Sequence, residues 1–263
     1  MPSLVQSALA RFVKRLELGV ELSDAERQAI LQLPGLEAHS RQGRELARPG
    51  DTVDHAILCA EGIIGRFDIM RSGARQITAL YVPGDMSDLH SVVAPSITWG
   101  LTPLGPSTIV RIPHTDLKRL ATSYPNLALA FWRETTVDAS ILAKWIANMG
   151  RKEARARIAH LLCELGVRMQ RAEVGERLNY ELPLTQEQIG DATGLTAVHV
   201  NRTMNALRRD GIVDVRNRRV LITRWDELVA IAEFDARYLL AGTTKPALPS
   251  LATKAIIRVE ASH

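Results

Sequence analysis

Residues 184–209, LTQEQIGDATGLTAVHVNRTMNALRR, spell out two short helices around a tight turn, and few other arrangements fit this text. Thr185 stands at an N-cap position with Gln188 three residues on, a capping box that starts a helix near Gln186. Ile189 and Ala192 give that helix an apolar face, Gly194 supplies the positive φ of a tight stop, and Leu195 packs beneath the turn. Thr196 caps a second helix, in which Val200, Met204 and Leu207 share one buried stripe. Ala197, Val198, Asn201, Arg202, Asn205 and Arg208 then face outward. Small side chains allow close approach, and Arg and Asn offer bidentate groups that match guanine and adenine edges, so this face suits a major groove of DNA. Helical hairpins with such caps also occur in ordinary packed domains.

The continuation narrows the choice. GIVDVRNRRVLIT, residues 211–223, reads as strand, turn at residues 216–218, and strand, which is the wing of a winged helix-turn-helix. Its tip carries Arg216 and Arg218, placed for phosphate. Across residues 196–224 seven arginines against two aspartates leave +5, while the whole chain carries +4, so the remainder sums to −1. The basic charge is concentrated where a nucleic-acid footprint needs it.

At 263 residues, 46% hydrophobic and 24% charged, the chain is long enough for two domains with real cores. Its first twenty residues hold Arg11, Lys14, Arg15 and Glu17 and no long apolar run, so neither a signal peptide nor a membrane span is expected, and the expected compartment is the cytoplasm. Cys59 and Cys163 are too few for a disulfide scaffold or a four-cysteine cluster, and both sit in apolar text, as buried thiols do.

Upstream, residues 3–36 read as helical, with a second capping box at Ser23 and Glu26. From about residue 38 to 115, turn signals at residues 49–51, 61–62, 72–73 and 83–85 separate short runs such as HAILCA, IIGRFDI and QITALYV, which predicts a sandwich, barrel or roll. Residues 125–150 then run without a breaker as one long helix. Phe131, Thr135, Asp138, Leu142, Trp145 and Met149 follow a 3.5-residue period along it and are the expected dimer seam, with packing on the chain's own β domain as the alternative. Gly150 is read as a break and hinge. After it comes a helix with Ile158, Leu161, Leu162 and Leu165 inward and Arg151, Lys152, Arg155 and Arg157 outward. The limits expected are 1–124 for the N-terminal helix and β domain, 125–150 for the long helix and hinge, 151–240 for the reader, and 241–263 for a loosely held tail.

This order of parts, with PGD at 49–51, EG at 61–62, VPGDM at 82–86 and the LTQEQIGDATGL and VNRTMNALRRDGIV runs, resembles the Crp/Fnr superfamily of bacterial transcription regulators over about residues 38–235. The resemblance implies an α+β chain: an N-terminal cyclic-nucleotide-binding-like β jelly roll, a long dimerisation helix and a C-terminal winged helix-turn-helix. It implies a homodimer on a near-palindromic double-stranded DNA site, with RNA polymerase as a further partner. Matched to the family's reading helix, Thr196 and His199 fall at phosphate or groove-edge positions, Arg202 on the arginine that reads guanine, and Thr185 and Gln186 near the DNA backbone. Ala197 and Val198 stand where better-known members have arginine and glutamate, and Asn201 where another branch has serine. Arg202 is therefore expected to keep a guanine while its neighbours read other bases: a thymine methyl for Val198, adenine for Asn201.

Members that bind cyclic nucleotides carry a Gly-Glu pair and an Arg-Ser or Arg-Thr pair in the roll. This chain has no Arg or Lys from residue 86 to 110, so the phosphate lacks its clamp there and no cyclic-nucleotide dependence is expected. Asp88, a loose stand-in for the glutamate, and His90 are the effector candidates; for a lone histidine a structural role outweighs haem or metal ligation, and no metal site is expected. The residues call for no cofactor, and an effector of unknown chemistry stays open. No Gly-rich nucleotide loop, nucleophile elbow or zinc motif supports catalysis. The alternative reading is a small-molecule sensor whose winged-helix domain binds a protein partner.

Overall fold

The computed structural model describes residues 3–41 and 43–239. Helix α1 (Leu4–Glu17) starts at Ser3, whose side chain accepts from the Gln6 N–H while Gln6 reaches back; α2 (Asp24–Leu31) repeats the device with Ser23 and Glu26. Six strands follow: β1 (Leu36–Ser40), β2 (His55–Glu61), β3 (Ile64–Ile69), β4 (Arg75–Tyr81), β5 (Gly100–Pro103) and β6 (Ser107–Pro113). They form two antiparallel three-stranded sheets, ordered β1-β6-β2 and β4-β3-β5. The glycines of the expected turns, Gly50, Gly62, Gly73 and Gly84, all have positive φ, which explains the ten-to-twelve-residue punctuation.

HAILCA is apolar throughout because both faces of β2 are covered. Ile57 and Cys59 point between the sheets with Ile64, Ala79, Tyr81, Leu101 and Ile109. Ala56, Leu58 and Ala60 face the other way, onto α1, α3 (His114–Ser123) and the start of α4 (Pro125–Arg151), where Phe12 and Phe131 stack at 6.2 Å. A continuous apolar run is what strand burial on two faces requires.

Gly150 is the penultimate residue of α4, so the helix ends within one residue of the expected break. The break falls at Lys152, which is extended (ψ 147°), and at Glu153, the N-cap of α5 (Ala154–Arg171). This joint is held from the C-terminal side: Lys152 Nζ donates to the Ala232 carbonyl at 2.6 Å, and Arg157 Nε to the Lys152 carbonyl at 2.7 Å. Lys152 and Arg157, expected outward, are accordingly half-buried.

The C-terminal unit continues with β7 (Asn179–Glu181), α6 (Gln186–Thr193), α7 (Ala197–Arg209), β8 (Val213–Arg216), β9 (Arg219–Ile222) and α8 (Trp225–Ala232). The wing is a three-stranded sheet ordered β7-β9-β8, one strand more than the sequence suggested. Its core is continuous with the outer face of β3 and β4: Ile63, Phe67, Ile77 and Leu80 join Val137, Ile141 and Trp145 of α4 and Ile158, Leu162 and Leu165 of α5. Polar contacts reinforce the seam. Arg75 pairs with Asp191 of α6 at 2.7 Å, and Arg168 of α5 pairs with Asp85 of the roll at 2.7 Å.

Candidate nucleic-acid interface

The two helices begin and turn as their caps dictate. Thr185 accepts from the Gln188 N–H at 3.1 Å while the Gln188 side chain accepts from the Thr185 N–H at 2.8 Å; Thr196 accepts from the His199 N–H at 3.3 Å. Gly194 sits at φ 66°. Gly190 fixes the closeness of the turn, because a Cβ there would lie 2.4 Å from the Leu195 carbonyl oxygen. Its role in holding the two helices together was not read from the sequence.

Val200 and Leu207 are fully buried and Met204 is half-buried, so α7 has the opposite face free. Ala197, Val198, His199, Asn201 and Arg202 are exposed, Val198 to 70%. Asn205 is half-buried and forms a side-chain ladder: its amide donates to Asn201 Oδ1 at 3.0 Å, and Arg208 donates to Asn205 Oδ1 at 2.9 Å. A single cleft between α6, α7 and the wing gathers Thr185, Gln186, Asn201, Asn205, Arg208 and Arg218. Six residues separated by up to 33 positions in the chain therefore share one surface.

The wing tip is a two-residue turn in which Asn217 (φ 51°) and Arg218 (φ 61°) are both left-handed, the twist that matches the flanking strands. Asparagine tolerates this backbone; for arginine it costs about 1–2 kcal/mol, so what the side chain does is the reason to look for. Arg216 is tied to Asp214 at 2.9 Å, which reduces its availability. The side chains of Arg202, Arg209 and Arg218 have no ion pair or hydrogen bond among the described residues. Three uncompensated guanidinium groups on the face that carries the amide ladder make a surface for a polyanion with readable edges.

The sequence model described as the Crp-like helix-turn-helix domain matches residues 156–231, the span that holds all of these groups. Residues 156–231 are thus a Crp-like helix-turn-helix domain, and the chain resembles Crp/Fnr transcription regulators over most of its length. The chain is 27% identical to the transcriptional activator protein FnrL of Cereibacter sphaeroides over 81% of its own length and 87% of that protein. It is 25% identical to the nitrogen fixation regulation protein FixK of Azorhizobium caulinodans over 84% and 87%. Its fold is that of FixK2 from Bradyrhizobium japonicum, with a TM-score of 0.69 at 23% identity, covering 78% of this chain and 100% of the other. The likeness of fold extends more loosely to a CooA variant from Carboxydothermus hydrogenoformans, TM-score 0.60 at 18% identity, covering 81% of this chain and 91% of the other.

Within the roll, Asp88 is 1% exposed and serves the fold: it accepts from the Ile57 N–H at 2.7 Å and faces Ser91 Oγ, which contacts His114 Nε2 at 2.8 Å. Burial pushes its carboxyl up to about 7, the Ile57 and Ser91 bonds opposing. Because the folded form holds this proton more tightly than the unfolded chain, the stability it confers is complete below the ordinary carboxylate range and is lost as pH rises through about 7. Asp88→Asn keeps an acceptor for Ile57 and removes the titration. The variant is expected to gain on the natural protein between about pH 4 and about pH 7, by up to about 4 kcal/mol at 1.36 kcal/mol per unit, read as urea midpoints across that range.

His90 packs edge-on against Trp99 at 4.6 Å, its proton affinity lowered by burial and by Arg66; its Nε2 and Trp99 Nε1 lack partners. Sequence reading overlooked one buried cation of the roll. Arg66 of β3 is 7% exposed, stacks toward Trp99 and Tyr81, and pairs with Asp138 of α4 at 2.8 Å. Cys59 and Cys163 are both buried, and burial raises each thiol, Cys163 to about 12. Among the described residues no group of three or more His, Cys, Asp or Glu is placed to hold a metal ion, and no helix is long and apolar enough to cross a membrane.

The seam expected on α4 needs correction. Phe131 and Trp145 are 8% and 4% exposed and belong to the chain's own core; Trp145 Nε1 donates to Glu164 at 2.9 Å. Asp138 is held by Arg66 and by the Tyr81 hydroxyl, Thr135 donates to the Trp132 carbonyl, and Leu142 and Met149 are half-buried. The outward stripe lies one residue further on: Leu129, Trp132, Thr136, Ala139, Ala143, Ile146 and Gly150, alternating three and four residues apart. Trp132 is 70% and Ile146 59% exposed.

Proposed function

We propose that this regulator works as a homodimer that sets α7 of each protomer into successive major grooves of a near-palindromic site. The observation that carries the reading is the free face of α7, with Arg202 unpaired beside the Asn201–Asn205–Arg208 ladder and the Arg218 wing tip. Arg202 reads a guanine; Ala197 and Val198 admit the helix and meet a thymine methyl; Thr185, Gln186, Thr196, His199, Arg216 and Arg218 lie toward phosphates. Asn205 and Arg208 hold Asn201 in orientation for an adenine.

Dimerisation is proposed through the outward stripe of α4, whose small residues permit close approach and whose Trp132 and Ile146 are otherwise in water. Domain limits near residues 124, 152 and 240 follow, with RNA polymerase as the partner addressed from the DNA, in the cytoplasm. The segment 241–263 lies outside the described residues. Independence from cyclic nucleotides is supported by the pairing of Arg66 with Asp138, which neutralises a buried cation of the roll. No cofactor enters this reading.

The test is selection of bound sequences from a random duplex pool by the purified chain without added effector. A palindrome with guanine-bearing half-sites about one helical turn apart is expected. Arg202→Ala should weaken that site by about 1–3 kcal/mol, roughly 5- to 150-fold, relax the choice at one base pair per half-site, and leave non-specific binding nearly unchanged. Affinity should fall steeply with salt. Salt-insensitive capture of a protein by the same surface, with no selected sequence, would overturn the reading in favour of a protein-binding winged helix.

A further inference from the structure

One cleft is not used by DNA reading. It opens to solvent between α1, the Val82–Asp85 turn, α4 and α5. Five arginines line it, Arg11, Arg15, Arg133, Arg168 and Arg171, against two carboxylates, Asp85 and Glu134. Both carboxylates are already engaged: Asp85 with Arg15 at 2.6 Å and with Arg168 at 2.7 Å, and Glu134 with Arg15, while Arg168 has Glu164 as a further partner at 2.9 Å. That leaves Arg11 and Arg171 without a carboxylate partner among the described residues.

Three observations bear on an anion here. Arg168, though paired with Asp85 and Glu164, is 5% exposed, and its Nε has no hydrogen-bond partner among the described residues. Arg11 reaches only the Ala60 carbonyl among them, at 3.4 Å. Half-buried Arg171 has no side-chain hydrogen bond or ion pair among the described residues, and burial together with the charges of Arg15 and Arg168 holds it below the ordinary arginine range. Like charges gathered out of water raise the free energy of the empty cleft, and an anion entering it relieves that repulsion. Guanidinium forks match oxyanions bidentately.

We propose that this cleft binds a small multivalent oxyanion of the phosphate or pyrophosphate class, held by Arg11, Arg168 and Arg171. The site is distinct from the interior of the roll, since it lies on the outer side of the Val82–Asp85 turn against α1. It touches the roll, the long helix and the first helix of the reader together, so an occupant adds a contact between parts whose relative placement sets the DNA geometry.

The experiment is calorimetric titration of the full chain with inorganic pyrophosphate, with sodium chloride at matched ionic strength as reference. One saturable site per chain is expected. Arg11→Gln and Arg171→Gln should each weaken it several-fold and together at least tenfold. Neither belongs to the buried Arg15–Asp85–Arg168 network, so both variants should melt at or above the natural protein in probe-free buffer. Arg202→Gln with Arg218→Gln, which strips the reader, should leave the site intact. Heats no larger than the chloride reference, unaltered binding by the double cleft variant, or loss of binding in the reader variant would each overturn the proposal.

Discussion

Asp85→Ala is expected to destabilise the chain by about 3–5 kcal/mol, the usual cost of removing one partner from a buried ion pair. Asp85 is 2% exposed and stands at the centre of a network that crosses the whole molecule: Arg15 of α1 on one oxygen, Arg168 of α5 and the Val82 N–H on the other. Arg168 passes the chain of charges on to Glu164 at 2.9 Å, and Glu164 accepts from Trp145 Nε1 and from the Tyr238 hydroxyl at 2.7 Å. Deleting the carboxylate leaves two buried guanidinium groups with less than their complement of negative charge, and neither can deprotonate to escape. Asp85→Asn keeps the acceptor for Val82 and should cost less. Asp85→Ala with Arg168→Met removes both charges and should cost clearly less than the sum of the singles. Urea midpoints for the four proteins read this coupling directly. An additive cycle would show that Arg168 finds full compensation without Asp85.

That network also marks where sequence reading stops. Thr185, Gln188, Gly194 and Thr196 were legible because a cap is satisfied within three residues, and the glycine-marked turns of the roll because a positive φ is a local demand. The face of α7 followed from the same local rule. Asp85 and Arg168 are 83 residues apart, and Arg66 and Asp138 are 72 apart; no periodicity relates them, and only the packed roll brings them together. Arg66, a buried cation that Asp138 neutralises, is illegible in the sequence for that reason. Gly150 marks the joint to within two residues, but the contacts of Lys152 with Ala232 and Arg157 that fix it are carried by no local pattern.

Trp132→Asp is expected to convert the protein from dimer to monomer at micromolar concentration, whereas Trp145→Ala is expected to leave a dimer and instead cost the fold about 3–5 kcal/mol. The contrast follows from two heptad stripes that lie side by side on α4. Phe131, Thr135, Asp138, Leu142, Trp145 and Met149 keep the period, and so does the set one residue on; hydrophobicity favours the first, and about 100° of rotation separates them. The first is covered by α1, the roll and α5, leaving the second with Trp132, Ile146 and Leu129 exposed and with Ala139, Ala143 and Gly150 small enough for helix axes to approach. Across a two-fold axis between parallel helices, a residue on this stripe meets its own copy, so a single aspartate introduces a pair of like charges at an apolar centre. The loss should be felt on DNA as well. Two tethered readers on two half-sites bind more tightly than either alone by about 10²–10⁴-fold, and a monomer forfeits that gain while Arg202 and the wing stay intact. Light scattering gives the mass and mobility shift on a full palindrome against a single half-site gives the avidity. A Trp132→Asp protein that stays dimeric and still prefers the full palindrome would place the seam elsewhere on the molecule.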